Sequence, residues 1–155
     1  MAEKLRLARL YLVMLAIVTF GRWVLSFRLP YDKGTDVFSI VTLTLFASLF
    51  YAAFARRWLG YRVLQAVELA AVLGLLSQVV ILLSTVASYA LGIDSYFNHP
   101  RALNQPEAVP FGRAIGIRMG GLVANTVFTG IAGALGWFLG AVLPASPGPD
   151  RGPDR

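Results

Sequence analysis

The chain has 155 residues, of which 57% are hydrophobic and only 14% charged, with a net charge of +6. Soluble domains average roughly 45–50% apolar and about 25% charged residues, so an ordinary water-soluble domain is excluded, and so is a disordered chain, which needs low hydrophobicity. There is no cysteine, which removes disulfides, thiolate metal sites, iron–sulfur clusters and cysteine nucleophiles.

What remains is a small integral membrane protein. A bilayer core about 30 Å thick takes roughly 20 apolar residues as helix. The chain opens with Lys4, Arg6 and Arg9, followed by a first span over 10–27 that contains one charge, Arg22. A basic start and an apolar run resemble a signal peptide, but no small-x-small cleavage site follows, so the segment reads as a retained anchor. The second span, 37–55, carries no charge. Arg56, Arg57 and Arg62 then precede a third span, 63–93, interrupted only by Glu68. A loop over 94–118 leads to a fourth span, 119–143, again uncharged. None of the runs alternates apolar and polar residues as a membrane barrel requires. The expected fold is therefore an all-α integral membrane protein, four transmembrane helices in one bundle over 1–143, with one long ordered loop between the third and fourth. The tail from Pro144 to Arg155, PASPGPDRGPDR, cannot build a core and reads as a disordered end.

Lysine and arginine in short flanks set topology. With four spans, the N-terminus, the 56–62 loop and the tail share one side and hold eight of them, against five in the two other loops. Both termini are expected in the cytoplasm, with a bacterial inner membrane as the location, since helical spans and not barrels cross it. The basic charges are spread over helix ends and form no footprint for nucleic acid.

Small residues mark helix contacts in lipid. Gly112, Gly116, Gly120, Ala124, Ala132, Gly136 and Gly140 recur at spacings of four along the fourth segment, with Phe128 the one large residue in the series. Shorter runs are Thr44, Ser48 and Ala52 in the second helix, and Ala66, Ala70 and Gly74 in the third. Packing within the bundle accounts for such faces, and self-association is the functional alternative. Because the glycines continue to Gly112, the fourth helix has reason to start near Pro110.

Ionisable groups inside a span are functional candidates. Arg22 and Glu68 are the two, with snorkelling to opposite interfaces favoured over a mutual ion pair, and a titrating transport carboxylate at Glu68 as the sharper alternative. Gln78 and Asn125 add mid-span polar groups that suit interhelical hydrogen bonding. The loop holds Tyr96, Asn98, His99, Arg101 and Glu107, with Pro100, Pro106 and Pro110 to fix its turns. One histidine in the chain makes no histidine-based zinc site, and no catalytic motif of spaced glycines, histidines or paired carboxylates occurs. No cofactor is expected. The function expected from the sequence is a non-enzymatic accessory or scaffold subunit, in a homo-oligomer or a larger membrane complex, assembling through glycine-rich helix packing. The alternatives are a small proton-coupled transporter or channel using Glu68, and a lipid- or quinone-directed enzyme at the loop with His99.

Overall fold

The computed structural model describes residues 6–32 and 39–144. Four long helices carry the chain: α1 (Arg9–Ser26), α2 (Ile40–Leu59), α3 (Val63–Leu91) and α4 (Phe111–Leu139). A 3-10 turn, Pro100–Leu103, lies in the connection between α3 and α4. All four helices are long and apolar enough to cross a membrane, and no strand occurs among the described residues. At 1.5 Å per residue, α1 and α2 are about 27 and 30 Å long, whereas α3 and α4 reach about 44 Å. The last two therefore exceed a bilayer core by more than two turns.

Local chemistry sets the boundaries. Ser39 caps α2, its Oγ accepting from the Thr42 amide at 3.2 Å. Gly60 and Gly92 end α2 and α3 in the left-handed conformation, at φ 69° and 62°, which costs glycine nothing. Pro110 is the N-cap of α4. The fourth helix thus begins at Phe111, not at Met119, and 111–118 of the expected loop are helical. Arg113 and Arg118 interrupt the apolar run without breaking the helix, because arginine is a good helix former. The 145–155 part of the tail lies outside the described residues.

Contacts between named residues give an up-down-up-down bundle. Gly74 of α3 meets Thr129 of α4 while Ala70 meets Gly133, so α3 and α4 run antiparallel. Gly136 faces Leu49 and Gly140 faces Ala53, so α2 and α4 run parallel. The backbones approach so closely that a Cβ on Gly136 would overlap the Leu49 carbonyl, and one on Gly140 would lie 2.6 Å from the Ala53 carbonyl oxygen. Thr44, Ser48 and Ala52 of α2, with Ala66, Ala70 and Gly74 of α3, are buried in these interfaces. The outward faces carry exposed Leu, Val, Ile and Phe throughout, a surface suited to lipid.

α1 is the least embedded helix, with 11% of its span buried against 50% for α3. Tyr11 ties it to the bundle. Its ring is 1% exposed, and its hydroxyl shares a hydrogen bond with Thr44 Oγ1 at 3.0 Å and reaches the Leu73 carbonyl at 3.2 Å.

Candidate functional site

The antiparallel order brings the C-termini of α1 and α3, the N-termini of α2 and α4, and the α3–α4 connection to one end of the bundle. The connection is built, not slack. Asn98 Oδ1 accepts from the Ser95 amide at 2.8 Å, and its Nδ2 donates to the Ile93 carbonyl at 3.0 Å. Ser95 and Ser88 share a buried hydroxyl contact at 2.6 Å. Tyr96, 3% exposed, points its hydroxyl at the Leu25 and Leu29 carbonyls at 3.1 and 2.7 Å, which fastens the loop to the end of α1. His99 Nδ1 accepts from the Arg101 amide and so caps the 3-10 turn. Leu103, Val109 and Ala114 close a small apolar cluster beneath it.

Arg118 binds this assembly together. It stands two turns inside α4, and its Nε donates to Thr85 Oγ1 at 3.1 Å, Nη1 to the Ala102 carbonyl at 3.2 Å and Nη2 to the Phe97 carbonyl at 2.7 Å. The Phe97 carbonyl also accepts from Thr85 Oγ1 at 3.2 Å, so Thr85, Phe97 and Arg118 form one network. Arg22 comes from the opposite direction, with its guanidinium 5.7 Å from the Tyr96 ring centre and 5.5 Å from that of Phe97.

Two pockets open at this end. One, of 430 Å³, is lined by Tyr31, Tyr89, Asp94, Tyr96, Asn98 and His99 among others. Tyr31 stacks on His99 with ring centres 4.4 Å apart and 8° between the planes. Burial, followed by the Arg101 charge, holds His99 below its ordinary range, against the pull of Asp32 and Asp94, so the imidazole is neutral at pH 7. The other, of 180 Å³, is lined by Arg22, Arg118, Tyr31, Ser39 and the first residues of α2.

The residues singled out in the sequence are scattered across the molecule. Tyr96, Asn98 and His99 share the larger pocket. Arg101 turns outward to an ion pair with Asp32, both side chains well exposed. Glu107 is exposed. Arg22 stands with the loop, whereas Glu68 is exposed on α3, about 25 Å from Thr85 along the helix axis at 1.5 Å per residue. The two do not meet. Gln78 is buried at 5% exposure, and Asn125 Nδ2 donates to the Gly121 carbonyl of its own helix at 3.0 Å. Gly136 and Gly140 pack against α2, Ala132 is half-buried, and Gly112, Gly116, Gly120 and Ala124 are exposed.

Two contributors were not apparent in the sequence as site residues. Arg118 counted only as a topological charge, although a helix starting after Pro110 puts it one turn beyond the buried Ala114. Tyr31 carried no signal, since aromatic residues near span ends are ordinary. Among the described residues, no group of three metal-ligating side chains converges. Comparison with protein-family models, curated proteins and solved structures finds no match. The class the structure defines is therefore an all-helical chain with four potential membrane-spanning helices and a folded cap at one end.

Proposed function

We propose that the protein is a multi-pass membrane protein of accessory or scaffold type that assembles through the N-terminal half of α4. One observation supports this most directly. Gly112, Gly116 and Gly120 are exposed, and a Cβ added at any of them would meet no atom within 4 Å. The buried residues of α4 are Ala114, Thr129, Gly130, Gly133 and Gly136, and the row Gly112, Gly116 and Gly120 is not among them. An open row of glycines on a spanning helix permits the close backbone approach that drives helix association in lipid. The occupant is a helix of a second copy or of another membrane subunit. Insertion in a bacterial inner membrane with both termini cytoplasmic accords with the arginines flanking the α2–α3 turn.

The absence of cysteine allows a direct test. Ala124→Cys in native membranes should give an oxidative cross-link to a second copy or to a discrete partner, and Leu135→Cys, about 16 Å further along the helix in the clasped half of α4, should not. Gly116→Leu should abolish the cross-link while the helix content and melting behaviour of the purified protein stay unchanged. Equal cross-linking from both positions, or none from either, would sink the proposal. No comparable observation favours transport through Glu68, which lines none of the pockets described above.

A further inference from the structure

We infer that Gln78 and Asn125 form the polar centre of a two-fold interface between two copies of this chain, with Gln78 of each copy hydrogen-bonded to Asn125 of the other. This rests on the assembly face of α4 proposed above, and it names the occupant and the anchor. Gln78 stands 15 residues after the first residue of α3 and 13 before the last, and Asn125 is 14 from either end of α4. Both therefore lie midway along helices of about 44 Å. The antiparallel register that sets Gly74 against Thr129 puts Gln78 level with Asn125, one turn further on. The two side chains converge on one spot, since Gln78 Oε1 and Asn125 Nδ2 are each 3.9 Å from where a Cβ on Gly121 would stand. Gly121 is half-exposed and has no side chain, so the amides lie beside a notch that opens outward.

Neither amide is satisfied within the chain. Among the described residues the Gln78 side chain, although only 5% exposed, makes no hydrogen bond. Asn125 uses one N–H on the Gly121 carbonyl of its own helix, which leaves its second N–H and Oδ1. No described side-chain amide is both sealed from the surface and without a partner, so the Gln78 tip reaches the outside of the bundle beside Gly121. Midway through a bilayer that outside is hydrocarbon, which has neither donor nor acceptor, and an unmet amide there is costly. A lipid tail cannot meet it; a helix with a polar group at the same depth can. The second copy has such groups at the right place. A two-fold axis along the membrane normal returns every residue to its own depth, and it sets residue i against j and j against i. Gln78 and Asn125 are level, so both cross pairs close at once. Each carboxamide both donates and accepts, so each pair is satisfied reciprocally. The adjoining Gly120 and Ala124 are exposed, and their small size lets the partner backbone come within side-chain reach.

The test uses the whole chain in liposomes, with a dye on Val142→Cys, a position 81% exposed beyond the end of α4. Energy transfer between donor- and acceptor-labelled copies is followed as added lipid dilutes the protein. The parent should associate saturably. Gln78→Leu and Asn125→Leu should each weaken association roughly tenfold, as for two interhelical hydrogen bonds lost per dimer. The deciding measurement mixes the two variants. A Gln78→Leu copy facing an Asn125→Leu copy regains one amide pair and gains one apolar pair, so transfer between the variants should return to within a few-fold of the parent. If the two amides serve each other inside one chain, mixing restores nothing and the inference falls. Association that both leucine variants leave intact but Gly116→Leu abolishes overturns the amide centre and leaves the glycine face standing. Absence of self-association in the parent overturns the second copy as occupant, and the Ala124→Cys cross-link then reports whether another subunit takes the face. If Gln78→Leu fails to fold, Gln78→Met takes its place in the same mixture.

Discussion

The two halves of α4 carry the same kind of residue and do opposite things. From Thr129 onward the small side chains are clasped: Gly133 abuts Ala70 and the Ala66 carbonyl, and Gly136 and Gly140 abut the backbone of α2. Before Ala124, Gly112, Gly116 and Gly120 face open space, whereas Gly121 lies towards Gln78 of α3, and that half is held by Arg118 and Ala114 against the loop. Helical geometry explains the split. A row at strict spacings of four advances about 40° per step, because 3.6 residues make a turn. From Gly112 to Gly140 the row therefore winds most of the way round the cylinder. Thr129, Gly133, Gly136 and Gly140, at mixed spacings of three and four, stay on one face. A small residue thus marks a contact only where the 3.6 period returns it to a neighbour.

The largest effect should come from filling the clasped half. Gly136→Leu drives a side chain into the Leu49 backbone, which cannot yield as a flexible side chain would. Overpacking typically costs 1–3 kcal/mol, and a backbone obstacle raises this to about 3 kcal/mol or more, so the variant should lose its monodisperse peak or unfold at much lower denaturant. A variant as stable as the parent would show that α2 and α4 are not in contact there. Next is Arg118→Met, which removes three hydrogen bonds and leaves the Phe97 carbonyl with only its bond from Thr85 Oγ1 and the Ala102 carbonyl without its arginine donor. A loss of about 2 kcal/mol should appear as faster amide exchange confined to 95–103, with α3 from 63 to 75 still protected. Uniform acceleration along the chain would instead assign Arg118 to the core of the bundle. Gly74→Ala comes third, because its obstacle is the Thr129 side chain and not backbone. A cost of about 1–2 kcal/mol should shrink when Thr129→Ala is added. Additive penalties in that double-mutant cycle would mean the two residues do not touch.

Much of the architecture was written in the apolar runs, since four stretches free of more than one charge leave few alternatives to four long helices. The start of α4 was harder to read. Its first two turns contain Arg113 and Arg118, and an apolar count stops at charges that a helix tolerates; only Pro110 and the continuing glycines pointed to Phe111. The candidate site was less legible still. Tyr96, Asn98 and His99 stood out because the loop holds most of the polar variety, yet their neighbours Tyr31 and Arg22 come from 65 to 77 residues earlier in the chain and Arg118 from the next helix, and no spacing rule connects them. At Glu68, where snorkelling is the favoured reading and a buried transport carboxylate the alternative, the 3.6 period places position 68 on the exposed side of α3, between the buried Ala66 and Leu69.

The smallest effect discriminates most finely between the halves. At Gly116 a Cβ meets nothing within 4 Å, so Gly116→Ala changes only the backbone. Alanine is favoured over glycine inside a helix by about 0.5–1 kcal/mol. The isolated chain in detergent should therefore gain stability, the reverse of what any clasped glycine would show. In membranes the same methyl group stands where the proposed partner helix approaches, and association should weaken. Opposite signs in the two measurements would establish that Gly116 is empty within the chain and occupied between chains. A gain in both would leave the open row of α4 facing lipid alone, and loss in both would place Gly116 inside the bundle.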